Sequence, residues 1–420
     1  MIRPVLGTIA AKVLISSMNL LLVIAAGQAL GVEGLGSISL VVLGITIILV
    51  MNHVIGGGGL VYLLPRHGMR ALIGPSYLWA LVTMVVAFGA GQFVPFAPDE
   101  LLVHVVLLAF LQSLSSIHLN ILLGRERIAI HNGILVGQSM VQAGGFVVLL
   151  FLDGSSVMDY VGATYAAHVT TALVSARYAY ADLPSKQVDP KTSIWSALFR
   201  QGGLAQGANL LQLLNYRLGY YLIDHFRGLG ALGIFSISTQ LAETAWLIPK
   251  SIGGVLYTKL SNLDEAERQR QLTLVLFKVA VLVGTLASFA LLVVPESIYS
   301  WVFGKEVRGL HPILLGITPG LIAMSGSQVL SHFLSGTGRV WVNTAGSGIG
   351  LVITLAAGWF LIGRYGAAGA AITASMAYCA SVTYQLYHFQ RITGSKLVDL
   401  LPHAGDRKKV MGVIQRMRSR

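Results

Sequence analysis

The sequence predicts an all-α, polytopic membrane fold. About twelve transmembrane helices form two six-helix lobes related by a pseudo-twofold axis along the membrane normal. Three observations carry that prediction. Only 11% of the 420 residues are charged and 55% are hydrophobic, whereas soluble domains carry roughly 25% charged residues; this chain cannot cover a water-facing surface. Its apolar runs are long and unbroken, near the roughly 20 residues that a helix needs to cross a hydrocarbon core of about 30 Å. Strands of a lipid-spanning barrel would instead alternate with period two. Finally, the second half of the chain repeats the first.

The spans read in order as 6–30, 36–62, 71–95, 101–123, 130–152 and 157–178, followed by 203–225, 233–257, 272–294, 309–333, 340–362 and 367–389. Between the two sets lies a polar stretch, Tyr180 to Ser193, holding Pro184, Lys186, Asp189, Pro190 and Lys191. The expected organisation is an N-lobe over 1–180, a cytoplasmic central loop over 181–200, a C-lobe over 201–390 and a basic cytoplasmic tail over 391–420. The first apolar stretch exceeds the roughly 7–15 residues of a signal-peptide core, so it reads as a retained span. Cys379 is the only cysteine and falls within a span, which leaves no internal disulfide and no cysteine metal cage.

A net charge of +12 would suggest a nucleic-acid partner in a soluble protein. Here its distribution explains it. With the N-terminus inside, the outer loops hold only Arg227, Lys305, Arg308 and Arg364, and Arg217 lies deep in a span. The remainder of the 29 basic residues fall on the inner side, as the positive-inside rule requires. The expectation is a multi-pass membrane protein, both termini cytoplasmic, with no nucleic-acid partner.

A shift of 197 lays Gly31-Val32-Glu33-Gly34-Leu35-Gly36 on Gly228-Leu229-Gly230-Ala231-Leu232-Gly233, and His53 on Lys250. A slightly larger offset lays Gly124-Arg125-Glu126-Arg127 on Gly336-Thr337-Gly338-Arg339, and Val161-Gly162-Ala163 on Ala368-Gly369-Ala370. Six helices per repeat keep both copies in one orientation, which implies a pathway between the lobes.

Charge inside the bilayer is costly and marks a candidate site. In the seventh span Gln206, Asn209, Tyr216, Arg217, Tyr220 and Asp224 share an arc of roughly 100°. In the eighth, Ser236, Thr239, Gln240, Glu243, Trp246 and Lys250 share roughly 120°. Two such stripes on neighbouring helices would line a wet cavity. Arg217, Lys250, Asn209, Tyr216, Tyr220 and His53 are therefore the candidate substrate-binding residues. Glu243 and Asp224 are candidates for a coupling ion or a salt bridge.

Each has a plainer reading. Arg217 and Glu243 sit at similar depth either side of the turn near Leu229, so they can pair and lock the two helices. Lys250 can snorkel to the inner surface, His53 can be a packing residue, and Lys12, the equivalent of Asn209, can be a topology anchor. Gln112, Asn120, Gln138 and Gln142 read as interhelical glue. Pro249 with Gly253 and Gly254, and the run Gly56 to Gly59, mark bends or close packing. The tail from Arg407 to Arg420 sets Val410, Val413, Ile414 and Met417 on one face of a basic helix suited to an anionic leaflet. No metalloprotease, phosphate-loop or nucleophile-elbow signature is present, so no enzyme, metal or cofactor is expected.

Several segments carry a family resemblance: Leu30-Gly31-Val32-Glu33-Gly34-Leu35-Gly36, Gly124-Arg125-Glu126-Arg127, Leu214-Asn215-Tyr216-Arg217 and Gly233-Ile234-Phe235-Ser236. Ala245-Trp246-Leu247-Ile248-Pro249, Ser335-Gly336-Thr337-Gly338-Arg339 and Tyr365-Gly366-Ala367-Ala368-Gly369-Ala370-Ala371 continue it. Through these segments, and over nearly its full length, the chain resembles the Wzx-type polysaccharide flippases of the multidrug/oligosaccharidyl-lipid/polysaccharide (MOP) superfamily. The resemblance implies a MATE-like two-lobed carrier that moves an undecaprenyl-diphosphate-linked oligosaccharide from inner to outer leaflet by alternating access. It implies as partners the lipid-linked oligosaccharide diphosphate, membrane lipids and other polysaccharide-assembly proteins. Arg217 matches the arginine typical of the seventh span in that family, whereas Gln28 stands where many relatives have a basic residue. The alternatives are a MATE-like drug or cation antiporter, and a membrane polysaccharide polymerase or ligase. Against the antiporter, no acidic residue lies between Leu6 and Leu30.

Overall fold

The structure, a computed structural model, describes residues 2–93, 96–152, 156–181, 194–260 and 265–401. Twelve α-helices run through the described residues: α1 (Ile2–Gly56), α2 (Gly58–His67), α3 (Met69–Gly91), α4 (Leu102–Gly124), α5 (Ile128–Leu152), α6 (Val157–Tyr180), α7 (Ile194–Thr244), α8 (Leu247–Leu260), α9 (Ala266–Val293), α10 (Glu296–Phe303), α11 (Leu310–Gly336) and α12 (Val340–Thr393).

At a rise of about 1.5 Å per residue, α1, α7 and α12 are each far longer than a bilayer is thick. Each breaks at one glycine with non-helical torsions: Gly31 (φ 67°, ψ −167°), Gly228 (φ 77°, ψ 179°) and Gly366 (φ 59°, ψ −135°). Beyond the break the chain folds back. Tyr220 meets Thr239 across Gly228. Across Gly366, Ser381 Oγ donates to the Gly346 carbonyl at 2.7 Å and Gln385 Nε2 to Asn343 Oδ1 at 3.1 Å. Partners spaced almost evenly about a turn are the mark of an antiparallel hairpin.

Counting α7 and α8 as one bent span, 8 helices among the described residues are long and apolar enough to cross a membrane. Opening the three hairpins and adding α6 recovers the twelve segments expected from the sequence. The chain is an all-α, multi-pass membrane protein. Two spans are interrupted. The second stops at Gly57 before α2. The eighth breaks at Ala245–Trp246, where Pro249 has no N–H to offer the carbonyl four residues back.

The helices group into two compact units, Met1–Leu213 with Ser300–Val307, and Leu214–Tyr299 with Arg308–Arg420. The boundary differs from the expected loop at 181–200. Packing explains the shift: Leu198 is fully buried in a cluster with Ile55, Leu60, Ile117 and Ala179, and Phe199 meets Trp79 edge-on at 5.1 Å. The first turns of α7 thus complete the N-terminal core. Residues 182–193 of the expected loop lie outside the described residues, as does the tail from 402 onward, including its expected surface helix.

In the first unit α5 packs on α6 and α1, and α4 packs on α6, α1 and α3. Polar side chains stitch these apolar surfaces. Gln138 meets His168 at 3.1 Å, and Gln142 reaches Tyr160 and Thr164. Asn120 donates to the Gly56 carbonyl beside the break in the second span. The segment 300–307 covers the end of the first span: Gln28 Nε2 donates to the carbonyls of Trp301 (2.6 Å) and Val302 (2.9 Å), and Glu306 accepts from the Val32 amide.

In the second unit α11 packs on α12, α9 and α8. Arg270 of α9 pairs with Asp399 at 2.8 Å and donates to Ser395 Oγ, fixing the single turn Leu397–Leu400.

The internal repeat is visible in backbone detail. Gly31 and Gly228 share one conformation. At the end of α4 the amides of Arg125, Glu126 and Arg127 bond the carbonyls of Ile121, Leu123 and Leu122. At the end of α11, 212 positions later, Thr337, Gly338 and Arg339 bond Phe333, Ser335 and Leu334 in the same pattern. Glu126 (φ 61°) and Gly338 (φ 77°) both take the left-handed conformation that closes such a cap.

Candidate functional site

The hairpin at Gly228 brings the two polar stripes of α7 together. Arg217 stands 11 residues before the turn, about 16 Å along the helix, near the middle of a bilayer core. Its Nη2 pairs with Glu243 Oε1 at 2.6 Å. Its Nη1 donates to the Tyr220 hydroxyl at 2.6 Å, and the guanidinium carbon lies 5.1 Å from that ring's centroid.

A directed hydrogen-bond chain continues from there. The Tyr220 hydroxyl, having accepted from Arg217, donates to Thr239 Oγ1 at 2.7 Å, and Thr239 donates to the Ser236 carbonyl at 3.0 Å. Tyr220 and Thr239 are each 5% exposed. The Arg217 and Glu243 side chains retain 26% and 38% exposure. The guanidinium therefore meets buried groups through Nη1, while the ion pair through Nη2 joins two side chains that keep part of their surface exposed.

Aromatic rings enclose the pair. Tyr216 lies 6.2 Å from Trp246 and 5.4 Å from Tyr378, and Trp246 and Tyr378 are 5.8 Å apart. Trp246 stands at the break before α8, its indole N–H on the Leu321 carbonyl of α11. The break thus turns a ring from the eighth span onto the seventh. The chemistry on offer is a fixed cation, a carboxylate and hydroxyl-bearing rings. Among the described residues no group of three or more potential metal ligands occurs.

The other expected site residues lie elsewhere. Lys250 is exposed and forms no hydrogen bond or ion pair with its side chain among the described residues. Asp224 is half-buried, likewise without an ion pair among the described residues. Asn209 is exposed, donates to Gln206 Oε1 at 3.0 Å and belongs to the first unit. His53, also in the first unit, bonds Ser116 Oγ at 2.7 Å. The paired reading of Arg217 and Glu243 is the one observed. Tyr378 of α12 is the site residue that sequence reading missed. Its only signal is a hydroxyl-bearing ring in a span of small residues, which packing places, together with Ser375 of the same helix, against Gly320 of α11.

No family model matches the chain. A capsular polysaccharide biosynthesis protein, CapF of Staphylococcus aureus, is 27% identical over 188 residues, 44% of this chain and 48% of that protein. The match therefore spans about half the length of that curated relative. Among solved structures, a multidrug resistance MATE family transporter of the MOP superfamily, inward-facing, superposes with a TM-score of 0.73 at 15% identity, covering 90% of this chain and 94% of that one. The lipid II flippase MurJ in its inward closed conformation gives a TM-score of 0.73 at 14% identity, covering 94% and 90%. These likenesses establish the fold, which this chain shares with a MATE family transporter and with MurJ and which the sequence resemblance implied.

Proposed function

On the premise of that fold, we propose that this chain is a flippase. It moves an undecaprenyl-diphosphate-linked oligosaccharide from the inner to the outer leaflet of a bacterial inner membrane by alternating access, and it is not an enzyme. The termini face the cytoplasm, as the inner excess of Lys and Arg favours. Likeness to a lipid II flippase and partial identity with a capsular polysaccharide biosynthesis protein support the class of substrate. The observation that carries the reading is Arg217, a cation at mid-depth whose side chain is 26% exposed.

A diphosphate cannot enter hydrocarbon without replacing its hydration. Guanidinium supplies planar, charge-assisted donors matched to phosphate oxygens, and they act strongly where water is scarce. Tyr220 acts as a positioning residue that fixes the fork, and Tyr216 offers a half-buried ring beside it. Lys250, exposed towards the inner end of the eighth span, is the next cation a diphosphate would meet. Asn209 and His53 remain secondary candidates; His53 is engaged by Ser116.

A MATE-like drug or cation antiporter is the second reading, supported by the equal likeness to a multidrug transporter. The absence of an acidic residue in the first span disfavours it. Proteoliposomes holding the purified chain and a labelled polyprenyl-diphosphate oligosaccharide separate the two. The flippase reading expects protein-dependent movement between leaflets. Export of organic cations without movement of the lipid would favour the antiporter.

A further inference from the structure

We infer that Glu243 is a built-in competitor for the diphosphate: its carboxylate occupies the anion site on Arg217 in the empty carrier, and the substrate must displace it. The inference rests on the flippase reading and assigns a regulatory role within the same site.

The geometry of the guanidinium carries it. Nη1 is committed to Tyr220, whose hydroxyl is tied in turn to Thr239. Both partners are buried, so an arriving anion has no access from that side. Nη2 holds one oxygen of Glu243 at 2.6 Å, and both side chains of that pair are partly exposed. A phosphate oxygen approaching from water meets the donor that the carboxylate already uses.

The two ligands are chemically alike, each an anionic oxygen acceptor for the same N–H. Glu243 is lightly fixed. Among the described residues its side chain has no ion pair besides Arg217, and its 38% exposure leaves room to swing away from it. The groups facing it are Arg217 and Tyr220 on the first half of α7 and Tyr378 on α12. Lys250 of α8 is exposed, and the Leu321 carbonyl of α11 is taken by Trp246. When displaced, Glu243 finds no second cation inside the cluster, and the exchange reverses as the substrate leaves. An unpaired guanidinium at this depth would be costly. The carboxylate keeps the empty site neutral while the carrier returns.

A structural salt bridge and a competitor predict opposite signs in a binding experiment. Dissociation constants for a polyprenyl glycosyl diphosphate are measured on the full chain in detergent for wild type, Glu243→Gln, Glu243→Asp and Arg217→Lys. Size-exclusion profiles establish that each variant is folded. Removing the competing charge in Glu243→Gln is expected to tighten binding about tenfold, the scale of one charge-assisted hydrogen bond. Glu243→Asp, with a shorter reach, gives an intermediate gain and carries the test if Glu243→Gln does not fold. In proteoliposomes the tighter-binding variants turn over more slowly. Unchanged or weaker binding in the Glu243 variants, alongside loss in Arg217→Lys, overturns the competitor and leaves the flippase reading standing. No binding by wild type or any variant overturns both.

Discussion

Gly31 and Gly228, 197 positions apart, hold the same backbone conformation, each at the turn between the two spans of a long helix. With φ of 67° and 77° and ψ of −167° and 179° they occupy an extended, positive-φ region that is essentially confined to glycine and costs other residues roughly 1–3 kcal/mol. Alanine at either site is expected to lower stability by about that amount. The loss should be larger at Gly31, where a Cβ would press on the Glu306 carboxylate; nothing lies within 4 Å at Gly228. Thermal unfolding in detergent measures the difference. The same logic reverses at Glu126, which takes φ 61° where its counterpart is Gly338. Glu126→Gly should raise stability by up to about 1 kcal/mol.

Gly320 of α11 lets two helices approach closely. A Cβ there would lie 2.7 Å from Ser375 Cα and 2.9 Å from its Oγ. Backbone cannot yield as a side-chain tip can, so Gly320→Ala should separate α11 from α12. A cost of about 1–3 kcal/mol is expected from such overpacking. Because Tyr378 sits at the same contact, diphosphate binding should weaken along with the melting temperature. Unchanged values for both would contradict the packing described.

The sequence resolved some of this and not the rest, for physical reasons. The spans were legible because hydrocarbon demands unbroken apolar runs. The Arg217–Glu243 pairing was foreseeable because residues equidistant from a turn share a depth. Both helix breaks fell at or beside marked residues, Gly57 and Pro249. The unit boundary was not legible. A polar linker suggests a boundary between lobes, but the burial of Leu198 and the contact of Phe199 with Trp79 decide where the first core ends. Tyr378 was hidden because contact between α12 and the first half of α7 is tertiary, with no spacing rule linking positions 161 residues apart. The cover that 300–307 lays over the first span was also unforeseen. Gln28, noted for lacking a charge, serves there as an amide bridge to two carbonyls.

Outside the spans, Asp399 supplies a pH prediction. The Lys396 backbone amide and then Arg270 hold its carboxyl below the usual carboxylate range. A depressed folded-state value means the stabilising contribution is present above the unfolded value, about 3.9. It is lost as pH falls through the folded value. The protection of the amides in the turn Leu397–Leu400, taken relative to their intrinsic exchange rates, should therefore fall in acid below about pH 4. Asp399→Asn should exchange quickly at every pH. If wild type were equally protected at both ends of that range, the carboxylate would not be what docks the turn.

The central claim is that Arg217 supplies the donor that carries a diphosphate through the membrane. The most direct measurement is the rate at which a labelled polyprenyl-diphosphate oligosaccharide changes leaflets in proteoliposomes holding equal amounts of inserted wild type, Arg217→Lys and Arg217→Ala. The account predicts rapid movement with wild type, a reduced rate with lysine, which keeps charge but not the planar fork, and none above empty liposomes with alanine. Movement at the wild-type rate by correctly inserted Arg217→Ala would contradict it and leave the arginine as a structural tie between two helices.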